Sequence, residues 1–406
     1  MDPSDVQAVV EATWRQEAAR IVASVARLVR DVGLAEELTQ DVVVTALQRW
    51  PSAGVPDNPG GWLMHAARQH AIDHLRRQDR LARKLPLLVD EPPPSEPDDE
   101  GLPDDILRLI FTACHPALST EAQVALTLRV VGGLTTVEIA RAFLVPESTV
   151  AQRIVRAKRT LAEKQIPFET PDEAERPQRL ASVLDVVYLI FNEGYTATGG
   201  PDWFRPPLCT EALRLGRLLA DIAPDEPEVH GLLALMELQS SRLAARLDAN
   251  GEPVPLLEQD RGRWDRGAIA RGFEALMRAG QSLQPYVLQA AIAACHAGAH
   301  SPEETDWVQI VTLYEALELV TPTPVVRLNH AVAVSWAYGP ANGLALVDTL
   351  LDVDELRAYH LLPAVRGDLL VKLGRSDEAR TEFLRAADLT ANERESAFLR
   401  RRAEEL

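Results

Sequence analysis

The chain has 406 residues, 46% of them hydrophobic and 5% aromatic, and a formal net charge of −18. That length predicts two to four domains with sizeable cores, and the prevalence of Ala, Leu and Arg over aromatic residues predicts an all-α fold. Three distant cysteines (Cys114, Cys209 and Cys295), an acidic N-terminus and the lack of any 18-residue apolar run argue against a disulfide framework, a signal peptide and a membrane span. A reduced, cytoplasmic chain is the expectation.

Residues 4–30 read as one helix, with Val6, Val9, Val10, Thr13, Trp14, Ile21, Val25 and Leu28 inward and Gly33 as the break. A second helix covers 35–50. Leu38, Val42 and Leu47 mark one side, and Glu36, Glu37, Gln40 and Asp41 the other. Residues 51–61, rich in Pro and Gly, form a loop. The next helix, 62–84, turns Trp62, Ala66 and Ile72 inward. The rest of its surface is polar and basic, through Arg68, Gln69, His70, Arg76, Arg77, Arg80, Arg83 and Lys84. Such a face suits phosphates. His70 and His74 have a metal-ligand spacing but no third ligand, so neither a metal nor a cofactor is expected.

Residues 85–105 are a Pro-rich acidic linker without periodicity. Helices are expected at 104–114 and at 120–131, the latter capped by Ser119 or Thr120. Then comes LTTVEIARAFLVPESTVAQRIVRAKRTLAEK (134–164). Thr135 and Glu138 form a capping box, so a helix starts there. Ile139, Ala140 and Phe143 are its apolar side. Leu144-Val145-Pro146 is a turn, with Pro146 suited to a first helical position. The second helix aligns Val150, Ile154, Ala157 and Leu161 in one stripe. Ser148, Gln152, Val155, Arg156 and Arg159 lie opposite, with donors for base edges and phosphates. This is a helix-turn-helix with a basic recognition helix. The net charge does not contradict it. Residues 89–105 hold eight acids and no base, 106–164 hold eight bases and four acids, and 165–406 carry −14.

Beyond residue 170 the chain reads as continuous helices. GDLLVKLGRSDEARTEFLRAADLT places Gly367, Leu370, Ala379, Phe383 and Ala386 at repeat-like spacing, and AVAVSWAYGPANGLALVDTLL upstream has the same shape. Residues 245–260 suggest a turn or short hairpin. FNEGY (191–195), QDRGRWD (259–265) and AACHAGAH (293–300) are chemically the richest segments, and packing and salt bridges account for them. No paired carboxylates, Gly-rich phosphate loop or HExxH occur, so no enzyme is expected.

Residues 1–164 resemble a bacterial sigma factor of the extracytoplasmic-function (ECF) type. AEELTQDVVVTALQRW, NPGGWLMHAARQHAIDHLRR and LTTVEIARAFLVPESTVAQRIVRAKRTL carry the resemblance, in the family's order. Gln69 stands where the family usually has Asn, and His70 where a basic residue is common. The resemblance implies that Glu36, Glu37, Leu38, Gln40 and Asp41 bind core RNA polymerase at the β′ clamp. It implies that Asn58, Trp62, His65, Arg68, Gln69, Arg76 and Arg77 read the minus-ten element. Glu147, Ser148, Thr149, Gln152, Arg153, Arg156 and Arg159 would read the minus-thirty-five element, with the β flap as a second polymerase contact. The implied domains are 1–85 (region 2), 86–105 (linker), 106–166 (region 4) and 171–406. The last resembles the tetratricopeptide-like extension of one ECF subgroup. It would regulate the sigma domains in cis, by being required for activity rather than by restraining it, and offers a surface for a protein regulator. A helix-turn-helix activator with a helical-repeat sensor is the alternative.

Overall fold

In the computed structural model, residues 3–82, 102–143, 145–197, 203–248 and 251–406 are described. Eighteen α-helices and no strand occur among them, which is the expected all-α class. They form two compact units, Met1–Leu189 and Ile190–Leu406.

The first unit begins with α1 (Pro3–Val29) and α2 (Val32–Ala53). Val6, Val10, Trp14, Ile21 and Val25 are buried as expected, and Val9, Thr13 and Leu28 are half-buried. The break between the helices falls at Arg30 and Asp31, not at Gly33. Arg30 takes a left-handed φ of 54°, and Asp31 caps α2 by accepting from the Leu34 N–H at 3.0 Å. A side-chain acceptor for an orphan N–H decides the start of α2, and Gly33 lies within its first turn. Helix α3 (Pro59–Ala82) buries Leu63, Ala67 and Ala71 completely. Trp62, Ala66 and Ile72 are only half-buried, so the expected inward face is one residue out of register. Trp62 meets the buried Trp50 edge-on, with ring centroids 5.4 Å apart. The expectations for Arg83, Lys84 and the linker to residue 101 lie outside the described residues, as does the side chain of Arg80.

Next come α4 (Leu102–Ala113) and α5 (Thr120–Val130). Ser119, rather than Thr120, caps α5, its hydroxyl accepting from the Ala122 N–H. Helices α6 (Thr136–Phe143) and α7 (Glu147–Glu163) form the expected helical pair. Pro146 is the cap residue of α7, one position earlier than expected. Helix α8 (Arg176–Tyr195) runs across the division between the units.

The second unit continues with α9 (Pro206–Ile222), α10 (Pro227–Ser240), α11 (Arg266–Ala279), α12 (Pro285–Gly298) and α13 (Trp307–Val320). Then follow α14 (Pro324–Tyr338), α15 (Pro340–Asp348), α16 (Leu361–Lys372), α17 (Ser376–Leu389) and α18 (Glu393–Glu404). Leu370, Ala379, Phe383 and Ala386 are fully buried where α16 and α17 pack. A Cβ on Gly367 would lie 2.8 Å from the Phe383 ring, so only glycine allows this approach. The α14–α15 pair repeats the device, Gly343 sitting against Ser335 and the Ala331 carbonyl. The expected hairpin near 245–260 reduces to one antiparallel bridge, Leu247 to Pro253.

The three chemically rich segments of this half serve packing. Glu193 pairs with Arg205, and Arg246 lies 3.9 Å over the Tyr195 ring while donating to the Tyr195 carbonyl. Arg261 donates to the His296 and Ala299 carbonyls, both at 2.7 Å, and to the Thr305 hydroxyl at 3.1 Å. Burial, then the charges of Arg242 and Arg261, lowers the His296 pKa to about 4, so this ring is neutral.

Candidate nucleic-acid and polymerase interfaces

Helix α7 divides cleanly into two faces. Val150, Ile154, Ala157 and Leu161, at i, i+4, i+7 and i+11, are all buried, as the sequence pattern predicts. Glu147, Ser148, Gln152, Val155, Arg156 and Arg159 are exposed, and Thr149 and Arg153 are half-buried. Val155 is 63% exposed, an apolar side chain with no folding reason to be there. Arg159 pairs with Glu163 one turn on at 2.6 Å, in open solvent where such a pair contributes little. The capping box before α6 is made in full. Glu138 accepts from the Thr135 N–H at 2.8 Å, and the Thr135 hydroxyl accepts from the Glu138 N–H at 3.2 Å. Burial alone would raise the Glu138 pKa. Hydrogen bonds from Thr135 and the charge of Arg15 hold it below the usual carboxylate range. Thus the helix-turn-helix is fixed by its cap and core, and its polar face is left free.

The α3 set is spread around its helix. His65, Gln69, Arg76 and Arg77 are exposed. Asn58 is exposed too, but its side chain accepts from the Gly61 N–H at 2.9 Å and so starts the helix. Arg68 is half-buried and donates to the Ser24 hydroxyl at 2.8 Å, tying α3 to α1. Trp62 is half-buried against Trp50.

The α2 set divides differently from the sequence expectation. Glu37 and Asp41 are exposed and Gln40 is half-exposed. Leu38 belongs to the core, whereas Leu47, expected inside, is 38% exposed. Glu36, expected on the solvent side, is 5% exposed. Its carboxylate meets Arg129 of α5 at 2.7 Å and Lys158 of α7. Sequence reading missed both cations, which stand 93 and 122 positions away, and no local pattern signals them. A second buried acid, Asp105, pairs with Arg27 at 3.2 Å and Arg108 at 2.9 Å. Burial outweighs these cations and raises the Asp105 pKa. Nearby, a cavity of about 660 Å³ is lined by Arg27, Arg30 and Arg108 together with Asp31 and Glu169.

Among the described residues no group of three or more His, Cys, Asp or Glu is placed to hold a metal. No described helix is long and apolar enough to cross a membrane.

Comparison with known proteins bears on these faces. Residues 14–81 match Sigma-70 region 2 and residues 108–161 match Sigma-70, region 4. The ECF RNA polymerase sigma factor SigK of Mycobacterium sp. (strain KMS) is 31% identical over 151 residues, covering 35% of this chain and 76% of that protein. The chain belongs to the ECF sigma factors. SigK of Mycobacterium tuberculosis (strain ATCC 25177 / H37Ra) is likewise 31% identical over 150 residues, 78% of its length. Over nearly the whole sigma factor, an uncharacterized protein of Rhizobium meliloti (strain 1021), R00370, is 47% identical across 389 residues. That alignment covers 94% of this chain and 92% of its own. Residues 179–280 match a family of unknown function, DUF6596. No solved structure matches the chain. The sigma factor directs RNA polymerase in transcription initiation, with core polymerase and promoter DNA as the partners its family implies. The family is not enzymatic.

Proposed function

We propose that the two faces divide the work of promoter recognition. The free face of α7 reads the minus-thirty-five duplex, with Gln152 and Arg156 toward base edges and Ser148, Thr149, Arg153 and Arg159 toward phosphates. The start of α3 with its preceding loop, through Asn58, Trp62, His65, Arg68 and Gln69, captures unpaired minus-ten bases, and Arg76 and Arg77 hold the backbone. The acidic face of α2 docks on the β′ clamp through Glu37, Gln40 and Asp41, with Glu36 added once it is uncovered. The working units are 1–85, 106–166 and 171–406, the first two joined by the acidic linker 86–105, and the protein acts in the cytoplasm where the polymerase is. One observation carries the reading: α7 buries every residue of its apolar stripe while exposing Val155 and the donors opposite. A face that folding does not use is available for DNA. The test is footprinting of holoenzyme on a cognate promoter. Protection of the minus-thirty-five region that disappears in Gln152→Ala with Arg156→Ala supports the assignment, and unchanged protection refutes it.

The module 171–406 is required for activity rather than restraining it. Its carboxylates give it −13 net, unsuited to lying along DNA, and its helix pairs are a scaffold for protein contacts. Residues 1–170 alone should retain core binding and lose transcription. Activity equal to full length would favour restraint instead.

A further inference from the structure

Helix α2 bears the proposed polymerase face, and the chain itself occupies part of it. Glu36 precedes the exposed Glu37 and lies one turn before Gln40 and Asp41. One carboxylate oxygen accepts from Arg129 Nε at 2.8 Å and the other from Lys158 Nζ. The side chains of Arg129 and Lys158 are each 17% exposed. Arg129 also donates to the Leu134 carbonyl at 3.2 Å, so it is held in place at the entrance to the helix-turn-helix. The backbones are close as well. A Cβ on Gly33 of α2 would stand 3.4 Å from the Lys158 Cβ of α7. A second tie joins the same halves, Arg15 of α1 pairing with Glu138 of α6.

We propose that Glu36, Arg129 and Lys158 form an intramolecular latch that holds region 4 over part of the polymerase-docking face of region 2, so that core polymerase must open it to bind. The proposal rests on the reading of α2 as the docking helix. A buried carboxylate between two cations is costly to strip of either one. It therefore yields only to a partner surface that supplies replacement cations. The latch is selective. It holds α7 through Lys158, beside the buried stripe, and leaves Gln152, Val155 and Arg156 exposed. The latched chain has its minus-thirty-five face open and its polymerase face partly covered. Core binding and region 4 opening are then one coupled equilibrium, in which polymerase selects the open form.

The test is a reversible lock in the full chain. A Cβ separation of 3.4 Å is within a few tenths of an ångström of the separation that disulfides adopt, so a small backbone adjustment accommodates one. Gly33→Cys with Lys158→Cys should therefore cross-link under mild oxidation. Burial pushes the native Cys114 and Cys209 up to about 12 and the half-buried Cys295 up to about 11, and the wild-type chain carried through the same oxidation controls for them. The expected result is an intramolecular disulfide whose oxidised form binds core polymerase at least about tenfold more weakly than its reduced form. Failure to cross-link, or equal binding in both redox states, overturns the latch. Lys158→Glu, which sets two carboxylates against each other, should open the latch and bind core several-fold more tightly. Unchanged or weaker binding by this variant, folded as judged by circular dichroism, also overturns it. Glu37→Lys with Asp41→Lys separates the two readings. If this variant binds core normally, the docking assignment fails, while redox-dependent binding by the cysteine pair still supports the latch.

Discussion

Arginines behave in opposite ways in helix α7 and around the QDRGRWD segment of the C-terminal unit. In α7, Arg156 and Arg159 stand in solvent, and the nearest structural use of either is an exposed pair with Glu163. In the C-terminal unit, Arg261 is 6% exposed and saturates the carbonyls of His296 and Ala299, and Arg246 lies over the Tyr195 ring. Guanidinium groups are costly to bury, so burial against backbone carbonyls and aromatic rings marks architecture. Exposed donors aligned opposite an apolar stripe mark a surface kept for a partner. The arginine-rich QDRGRWD motif thus belongs to packing, whereas the plainer helix at 147–163 keeps its donors at the surface, where the proposed DNA contact needs them.

That contrast can be broken from either side. The largest effect should come from Arg261→Ala, which takes the Arg261 donor from two half-buried carbonyls and the buried Thr305 hydroxyl. It should destabilise the chain by about 3–5 kcal/mol in a urea melt, and a loss below about 1 kcal/mol would mean that the network is dispensable. His296 gives the next effect. Its folded pKa is depressed to about 4, so its contribution is complete above the unfolded value near ~6.5 and is lost as pH falls from there toward 4. The span corresponds to on the order of 3 kcal/mol, and His296→Gln should flatten that part of a stability–pH profile. On the recognition side, Arg156→Ala should leave the melt unchanged within about 0.5 kcal/mol. It should cost about 1–3 kcal/mol of specific duplex affinity, measured by titration of a minus-thirty-five duplex. Smallest should be Arg159→Ala: with Arg159 toward phosphate as proposed, the change should weaken all sequences alike and lower the salt slope by about one unit. A sequence-dependent loss there would move Arg159 into the base-reading group.

The same physics explains how much the sequence could say. The stripe of α7 and the capping box of α6 were legible residue by residue, because helical periodicity and side-chain caps are local. The inward face of α3 was misplaced by one position. Its packed residues Ala67 and Ala71 are small, and the larger Trp62 beside them looked like the anchor. Leu47 and Glu36 exchanged their expected environments for a tertiary reason. Glu36 is buried by Arg129 and Lys158, contributed by helices far along the chain, and no pattern within α2 announces them. The resemblance supplied the polymerase and the promoter elements, which no composition or spacing could have named.

As proposed, the sigma factor reads the minus-thirty-five element through a face of α7 that its own folding leaves unused. Run-off transcription with purified core polymerase on a promoter library tests it most directly. Transcripts from a shared set of promoters are expected only when the chain is added. They should be lost in the α7 variant Gln152→Ala with Arg156→Ala, while the protein stays folded and bound to core. Transcription from the same promoters by that variant at the wild-type level would show that the free face of α7 does not read the promoter.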